Sequence, residues 1–488
     1  MPATIGSRTD VGVAAPGRNT RRPPSGRWGG ARLRFGVVAL LLPLWVAGCS
    51  SYVSTSAQVR ALVQSGEYDQ ALDALGDLES GGSRLLYLYE RGLILHQQNR
   101  FAESNEAFGQ AEELFEDLYT RSVSREAGAL LVNESVREYR GERFEAALVH
   151  YYRVMNYLNL GDLESAAVQC RRLDHRLDVL SNQEGASFTD DAFLRYLAGM
   201  VYLENGDRND ADVSLRKALE GYRDPGRAHG ADLPSRLYCD LAANAAALGA
   251  PAEARDYRDA GECDAPASDA PRPGTLRLFV ECGSVAFQSQ ADVVLPILKN
   301  EIHDDLDQEA YARVLAGRYG QPVASDVEVD YLLRISMPVL VETPSGIRFV
   351  RVGTVGCDTA AAPSLGVLGM DVTDLARRSF EEEQPLLLLR AVARGLAKYL
   401  AKEKAEKEGG EAAGLVVNIL GLVTETADTR CWSTLPEKIL LAQLDLAPGT
   451  YTIRVDLLGP DGRLDDRFEI PDVAISGGRS TFVNYRVY

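Results

Sequence analysis

Asn99-Arg100-Phe101-Ala102-Glu103-Ser104 is one of six versions of a phrase on which the architecture turns. The others are Gly66-Glu67-Tyr68-Asp69-Gln70-Ala71, Glu142-Arg143-Phe144-Glu145-Ala146-Ala147, Gly161-Asp162-Leu163-Glu164-Ser165-Ala166, Gly206-Asp207-Arg208-Asn209-Asp210-Ala211 and, more weakly, Gly249-Ala250-Pro251-Ala252-Glu253-Ala254. Each reads as a helix–turn–helix. A Gly or Asn takes the left-handed backbone that ends one helix. The Asp or Glu after it sits at the start of the next, where the helix dipole favours negative charge. The small final residue lets the two helices approach closely. The surrounding 200 residues have helical periodicity and no strand-like runs.

This phrase resembles the tetratricopeptide repeat, whose signature places further residues at fixed offsets. Gly92 precedes Phe101 by nine positions, and Phe108 and Ala111 follow it by seven and ten. Gly199, Tyr202, Leu215 and Ala218 take the equivalent places around the fifth phrase. The small residues Ala71, Ser104, Ala147, Ala166, Ala211 and Ala254 are spaced by 33, 43, 19, 45 and 43, against about 34 in a regular array. The reading is an irregular α-solenoid of about five hairpins, with the helix near 145–160 serving two of them. Solenoids expose faces that bind other chains. Tyr87, Tyr89, Tyr151, Tyr152, Tyr157, Tyr196 and Tyr202 are candidates to line one, although most are expected to fill gaps between helices.

Upstream, residues 1–34 are rich in Arg, Pro and Gly, and Phe35–Val46 is an unbroken apolar run. Twelve residues are too few to span a bilayer. A basic start, a short apolar core and small residues after it make a secretory signal. Val46-Ala47-Gly48-Cys49 resembles the bacterial lipobox. The resemblance implies diacylglycerol on the Cys49 sulfur, usually with an amide-linked third chain, and stable anchoring follows from two or more chains. Ser50 and Ser51 stand where an Asp would favour inner-membrane retention, which implies the outer membrane, facing the periplasm.

Downstream, residues 264–274 (DAPASDAPRPG) read as a linker. Strands are expected at 275–281, 292–298, 327–342 and 347–355, the last two joined as a hairpin by Thr343-Pro344-Ser345-Gly346. A second hairpin is expected between 440–444 and 450–458 through Ala447-Pro448-Gly449. Pro460-Asp461-Gly462 leads on to strands near 465–474 and 480–488. Between them Asp371 is a candidate cap, and a helix is expected over 385–408 with Pro385 in its first turn. Leu386, Leu389, Ala393, Ala397 and Leu400 form an apolar stripe. Arg390, Arg394, Lys398 and Lys402 form a basic ridge, expected to be a solvated face paired with Glu383, Glu403 and Glu406 rather than a seat for anionic lipid, glycan or an acidic partner. Residues 414–423 (GLVVNILGLV) are too short to cross a bilayer and are expected to be buried.

Residues 427–436 (ADTRCWSTLP) with the 447–451 turn, the lipobox and the repeats together resemble a family of uncharacterised proteobacterial lipoproteins with tetratricopeptide-like N-terminal repeats. The family brings no established activity. The fold class expected is α+β and multidomain. Residues 1–48 are the lipoprotein signal peptide with its basic extension, 49–263 the tetratricopeptide-like α-solenoid, 264–274 the linker and 275–488 a β-rich α/β C-terminal domain.

The formal charge is −18; residues 1–48 carry seven Arg and one Asp, so residues 49–488 carry 45 basic and 69 acidic side chains, or −24. Such a surface repels phosphate backbones, and no nucleic-acid partner is expected. No phosphate loop, GxSxG elbow or HExxH is present. The five histidines lack a second His at ligand spacing, and His303 with Asp304, Asp305 and Asp307 reads as a solvated helix start. No catalytic residue, cofactor or metal is therefore expected. Of the cysteines after Cys49, Cys170 reads as a buried free thiol and Cys239 with Cys263 as the best disulfide pair. The leading expectation is a lipid-anchored envelope scaffold that binds envelope proteins through its repeats and the bilayer through Cys49. The signature positions are Gly66, Ala71, Gly92, Phe101, Phe144, Ala147, Gly161, Ala166, Gly199, Gly206 and Ala211. The alternatives are an envelope enzyme acting on cell-wall glycan, or a structural part of a secretion or surface-assembly apparatus.

Overall fold

Five helical hairpins close where the phrase places its turn residue. Helices α1 (52–64) and α2 (Tyr68–Ala74) meet at Gly66, α3 (Arg84–Gln97) and α4 (Phe101–Val123) at Asn99, and α5 (Arg143–Asn159) and α6 (Leu163–Ser181) at Gly161. Next, α7 (Ala192–Asn205) and α8 (Arg208–Arg223) meet at Gly206. After the one-turn α9 (Pro225–Ala228), α10 (Ser235–Ala247) and α11 (Pro251–Ala260) meet at Gly249. All five turn residues have positive φ, from 60° at Asn99 to 88° at Gly206, the conformation that Gly and Asn reach most cheaply. The phrase at Glu142 has a different use: Glu142 and Glu145 form a capping box at the start of α5. Ala147 therefore lies in the first helix of a hairpin and Ala166 in its second, which explains the short spacing of 19. Helix α5 packs on both α4 and α6.

The computed structural model describes residues 52–123, 138–181, 190–263, 272–298, 329–356, 363–410, 414 and 426–488. The lipobox, His303 and its neighbouring acids, Cys357, and all of 414–423 except Gly414 lie outside the described residues. Most of the expected linker does too. A disulfide joins Cys239 of α10 to Cys263, just past α11. Cys170 is a buried free thiol.

The second half holds strands β1 (Gly274–Cys282), β2 (Phe287–Leu298), β3 (Val329–Val341), β4 (Phe349–Thr354) and β5 (Ser364–Asp371). Helix α12 (Val372–Gly409) follows, and then β6 (Lys438–Leu446), β7 (Gly449–Leu458), β8 (Leu464–Ile475) and β9 (Ser480–Val487). Seven strands form one sheet in the order β8-β7-β4-β5-β6-β1-β9, while β2 and β3 pair separately. All pairings are antiparallel except β1 with β9.

Two expected hairpins are thereby corrected. Residues 343–346 do not pair β3 with β4. The Ser345 N–H donates to Glu437 Oε2 at 2.7 Å, and this anchor hands the chain from the β2–β3 ribbon to the sheet. Residues 447–449 do not pair β6 with β7, because β5 and β4 lie between them in the sheet. The turn at 460–462 does join an antiparallel pair, β7 with β8. Strand β5 was not expected at all. Helix α12 begins at Val372 rather than 385, because the Asp371 carboxylate accepts from the Asp374 N–H at 2.9 Å; Pro385 lies inside the helix.

The sheet curls until its edge strands meet. Phe468 of β8 stacks on Tyr485 of β9 with centroids 4.2 Å apart, and the Thr481 hydroxyl donates to the Ala474 carbonyl. Alternation then gives β1 and β6 two buried faces. Leu276, Leu278, Val280, Leu440, Ala442 and Leu444 fill the interior of the curl. Phe279, Ile439 and Leu441 point the other way and share one hydrophobic core with the helices.

Where a side chain cannot fit, the signature glycines are needed. A Cβ on Gly199 would lie 2.5 Å from Leu215 Cδ2, and one on Gly92 would lie 2.6 Å from Phe108 Cε1. Replacing Gly199 by Ala is expected to lower stability by about 1–3 kcal/mol through overpacking, read from the urea midpoint.

Candidate functional site

The face of the solenoid made by the first helix of each hairpin is covered by the chain's own second half. Among the described residues, the hydrogen bonds from the repeat helices to that half come from α1, α3, α5, α7 and α10. At one end, Tyr151 and Tyr152 of α5 donate to the Glu281 carboxylate of β1 at 3.1 and 3.0 Å. His96 of α3 lies between Asn156, 2.6 Å from Nδ1, and Asn484 of β9, 2.7 Å from Nε2. At the other end, Arg277 of β1 forms two bonds with Asp240 of α10, at 2.9 and 3.0 Å. The Tyr196 hydroxyl also donates to Asp240 at 2.8 Å. Burial alone raises the Asp240 carboxyl, but the Arg277 guanidinium overrides it and the net shift is downward.

Along the same face runs the 426–436 segment, which belongs to no strand or helix. It is held as a peptide ligand would be. The Tyr52 hydroxyl of α1 donates to the Cys431 carbonyl and accepts from its N–H, both at 3.1 Å. The Glu145 carboxylate accepts from the Trp432 N–H at 2.8 Å. Glu90 of α3 accepts from the Ser433 N–H at 2.9 Å and from the Ser433 and Thr434 hydroxyls. Ser56 and Ser433 hydroxyls lie 3.1 Å apart, and the Arg430 guanidinium reaches the Gly82 carbonyl at 2.9 Å. The Trp432 ring, 1% exposed, stacks on Tyr89 with centroids 4.7 Å apart and meets Phe108 and Tyr152 at its sides.

Two buried carboxylates thus read the backbone and hydroxyls of three consecutive residues, while an aromatic pocket takes the indole. Burial pushes Glu145 up to about 7, against the bonds it accepts from Tyr139, Glu142 and Trp432. Burial and then the Glu145 charge push Glu142 up to about 7, and burial raises Glu90. Raised carboxyls stabilise the fold fully below their ordinary 4.5, and that contribution is lost as pH rises towards 7.

His150 on α5 acts in the opposite sense. Burial first, and then the charges of Arg176, Arg153 and Arg172, push it down to about 3. Its contribution is present above 6.5 and is lost as pH falls. A His150→Gln variant is expected to flatten the acid limb of stability by about 1.4 kcal/mol per pH unit between 6.5 and 4.5, measured by urea unfolding at both pH values.

The signature residues are dispersed through the hairpins and converge on no chemistry. Gly66, Gly161 and Gly206 form turns, and Ala71, Ala147, Ala166 and Ala211 are buried between helices. Gly92 faces Phe108 and accepts from the Ser104 hydroxyl. Phe144 is buried, and half-buried Phe101 meets His96 edge-on. The tyrosines Tyr89, Tyr151, Tyr152 and Tyr196 are fully buried at the join of the two halves, so they line an internal face. The basic ridge is corrected in part: Arg394 and Lys402 are buried rather than solvated, while Lys402 does pair with Glu406, 3.1 Å away, as expected. A cleft of about 160 Å³ lies between Glu142, Phe380, Glu383, Leu387, Arg390 and Asp428, below the range of roughly 300–1,000 Å³ usual for small-molecule sites. Among the described residues no helix is long and apolar enough to cross a membrane, and no three His, Cys, Asp or Glu cluster as metal ligands.

Residues that sequence reasoning missed are Glu90, Glu145, Asp240 and Arg277. The signal that could have found Glu90 is an acid inside a helix whose other residues are mostly apolar.

No protein-family model matches the sequence, and no curated protein matches it significantly. Among solved structures the chain is similar to MamA, residue 41 to the end, from Desulfovibrio magneticus RS-1, with 12% identity over 43% of this chain and 93% of that one and a TM-score of 0.28. It is similar to BtubC (BKLC) from P. vanneervenii, with 16% identity over 49% and 92% of the two chains and a TM-score of 0.29. A third likeness is to a putative kinesin light chain of Podosopora anserina with nearly identical TPR-like repeats, at 14% identity over 43% and 92% and a TM-score of 0.27. The repeat character of this chain rests on its own turns and helix pairs.

Proposed function

We propose that the protein is a lipid-anchored scaffold of the cell envelope, held at the outer membrane through acylated Cys49 and built to bind protein. The observation that carries the binding role is the run of five helical hairpins, an architecture that presents extended faces to other chains; the first-helix face is itself filled by the chain's own 426–436 segment. A face that reads an extended chain in this way is an interaction face, and here it makes one platform of the repeats and the sheet. The lipobox supports the anchor, and the Cys239–Cys263 disulfide suits an oxidising compartment.

Mass spectrometry of the native protein tests the anchor. The expected product begins at Cys49 and carries diacylglycerol on it, and Cys49→Ser moves the protein out of the membrane fraction. An unacylated chain still bearing Met1 would contradict the anchor. Cross-linking in the native envelope tests the scaffold role. The same envelope protein is expected in repeated captures, and its consistent absence would count against the reading.

A further inference from the structure

Helix α12 faces the wrong way for an ordinary amphipathic helix. It lays Ala391, Gly395 and Tyr399 on the β2–β3 ribbon: Ala391 and Tyr399 pack with Leu333 and Ile335, and a Cβ on Gly395 would lie 2.4 Å from Leu333 Cδ1. Five of its seven leucines point outward, Leu388 (46% exposed) away from the row formed by the other four. Leu386, Leu389, Leu396 and Leu400 are 45%, 60%, 37% and 62% exposed. With Ala393 they recur at intervals of three, four, three and four, the a/d spacing of a coiled-coil seam. The stripe is about 21 Å long at 1.5 Å per residue.

We propose that this stripe is the interface for a second copy of the same chain, paired antiparallel through a two-fold axis. An isologous interface must be complementary to itself, and the positions from Leu389 to Leu400 are so in one register, in which Leu386 at the margin of the stripe meets Glu403. Leu389 of one copy faces Leu400 of the other, and Ala393 faces Leu396. Reading on, Leu396 faces Ala393 and Leu400 faces Leu389, so each central layer joins a small residue to a large one. The same register brings Glu382, which precedes the stripe on the same face and lies 3.6 Å from Arg143 of its own chain, opposite Lys407, which follows the stripe and lies 3.8 Å from Glu403. The ends of the seam are therefore opposite in charge. Parallel pairing would set Glu382 against Glu382 and Lys407 against Lys407.

A lipid surface fits less well. Apart from Leu388, the exposed leucines keep to the width of a coiled-coil seam, whereas interfacial helices bury a broad apolar face and carry Lys and Arg on the other. Two of the four basic residues beside this stripe, Arg394 and Lys402, are buried, and residues 49–488 carry a charge of −24.

Sedimentation equilibrium over a concentration series, on residues 49–488 with Cys49→Ser and without detergent, tests the pairing. The expected species is a dimer. Leu389→Asp or Leu400→Asp raises the dimer Kd by at least about tenfold and leaves the circular dichroism and unfolding midpoint unchanged, since both leucines are exposed. Glu382→Lys weakens the dimer, and adding Lys407→Glu restores it. Oxidising a mixture of Leu389→Cys and Leu400→Cys chains gives the mixed cross-linked dimer in preference to either self-linked one. A monomer at all concentrations overturns the proposal. So does a dimer indifferent to both aspartates, self-linking of the separate cysteine variants, or a monomer that binds phosphatidylglycerol vesicles through the leucines.

Discussion

Trp432→Ala is expected to cost about 3–5 kcal/mol of stability, the range for removing a buried aromatic side chain. The loss is concentrated where the two halves of the chain meet. The indole stacks on Tyr89 of α3 and touches Phe108 and Tyr152, while its backbone N–H donates to Glu145. Truncation leaves a cavity walled by helices that cannot close over it. Trp432→Phe keeps most of the apolar contact and is expected to cost less than half as much. Urea unfolding monitored by circular dichroism measures both. If the alanine variant unfolds at the wild-type midpoint, the segment is not part of the folded core.

Asp240→Ala is expected to cost about 3–5 kcal/mol, because it leaves the Arg277 guanidinium buried without its carboxylate. Arg236 lies nearby, 3.5 Å from Asp240 in the intact protein, and adds a second positive charge to the deserted site. Removing both charges is expected to cost much less than removing one. Asp240→Leu with Arg277→Met abolishes the desolvation penalty together with the attraction, and most of the lost stability returns. A double-mutant cycle in urea reports the coupling. Additive losses would mean that β1 and α10 do not meet through this pair.

The helical half was legible because its rules are local. Gly66, Asn99, Gly161, Gly206 and Gly249 each supply a left-handed backbone that other residues resist, and the helix ends follow within a few positions. The strands other than β5 were legible one by one for the same reason, but their partners were not. Nothing local in Ala447-Pro448-Gly449 distinguishes a tight hairpin from a turn that leaves β6 for a strand three places away. The Thr343–Gly346 turn looked like a hairpin until Glu437, more than 90 residues later, supplied the acceptor for Ser345.

The docking of the 426–436 segment was half legible. Helix α3 carries LLYLYERGLILH over residues 85–96, buried except at half-exposed Tyr87 and Arg91. A helix apolar all round needs cover on both faces, and Glu90 within it needs donors. The identity of those donors is a long-range fact: Ser433 and Thr434 lie 343 and 344 residues away. Which face of α12 meets the ribbon was not legible for a related reason. Its leucine stripe has the period of a core face, but the ribbon beside it takes Gly395 and Ala391 instead.

Trp28 and Trp45 lie within residues 1–48, so a chain beginning at Cys49 has Trp432 as its single tryptophan. Its fluorescence reports directly on whether the second half of the chain occupies the first-helix face. The account predicts blue-shifted emission, shielded from acrylamide, that moves to the red in step with the loss of helical circular dichroism during unfolding. Emission of a water-exposed indole, freely quenched while the helices remain intact, would contradict it.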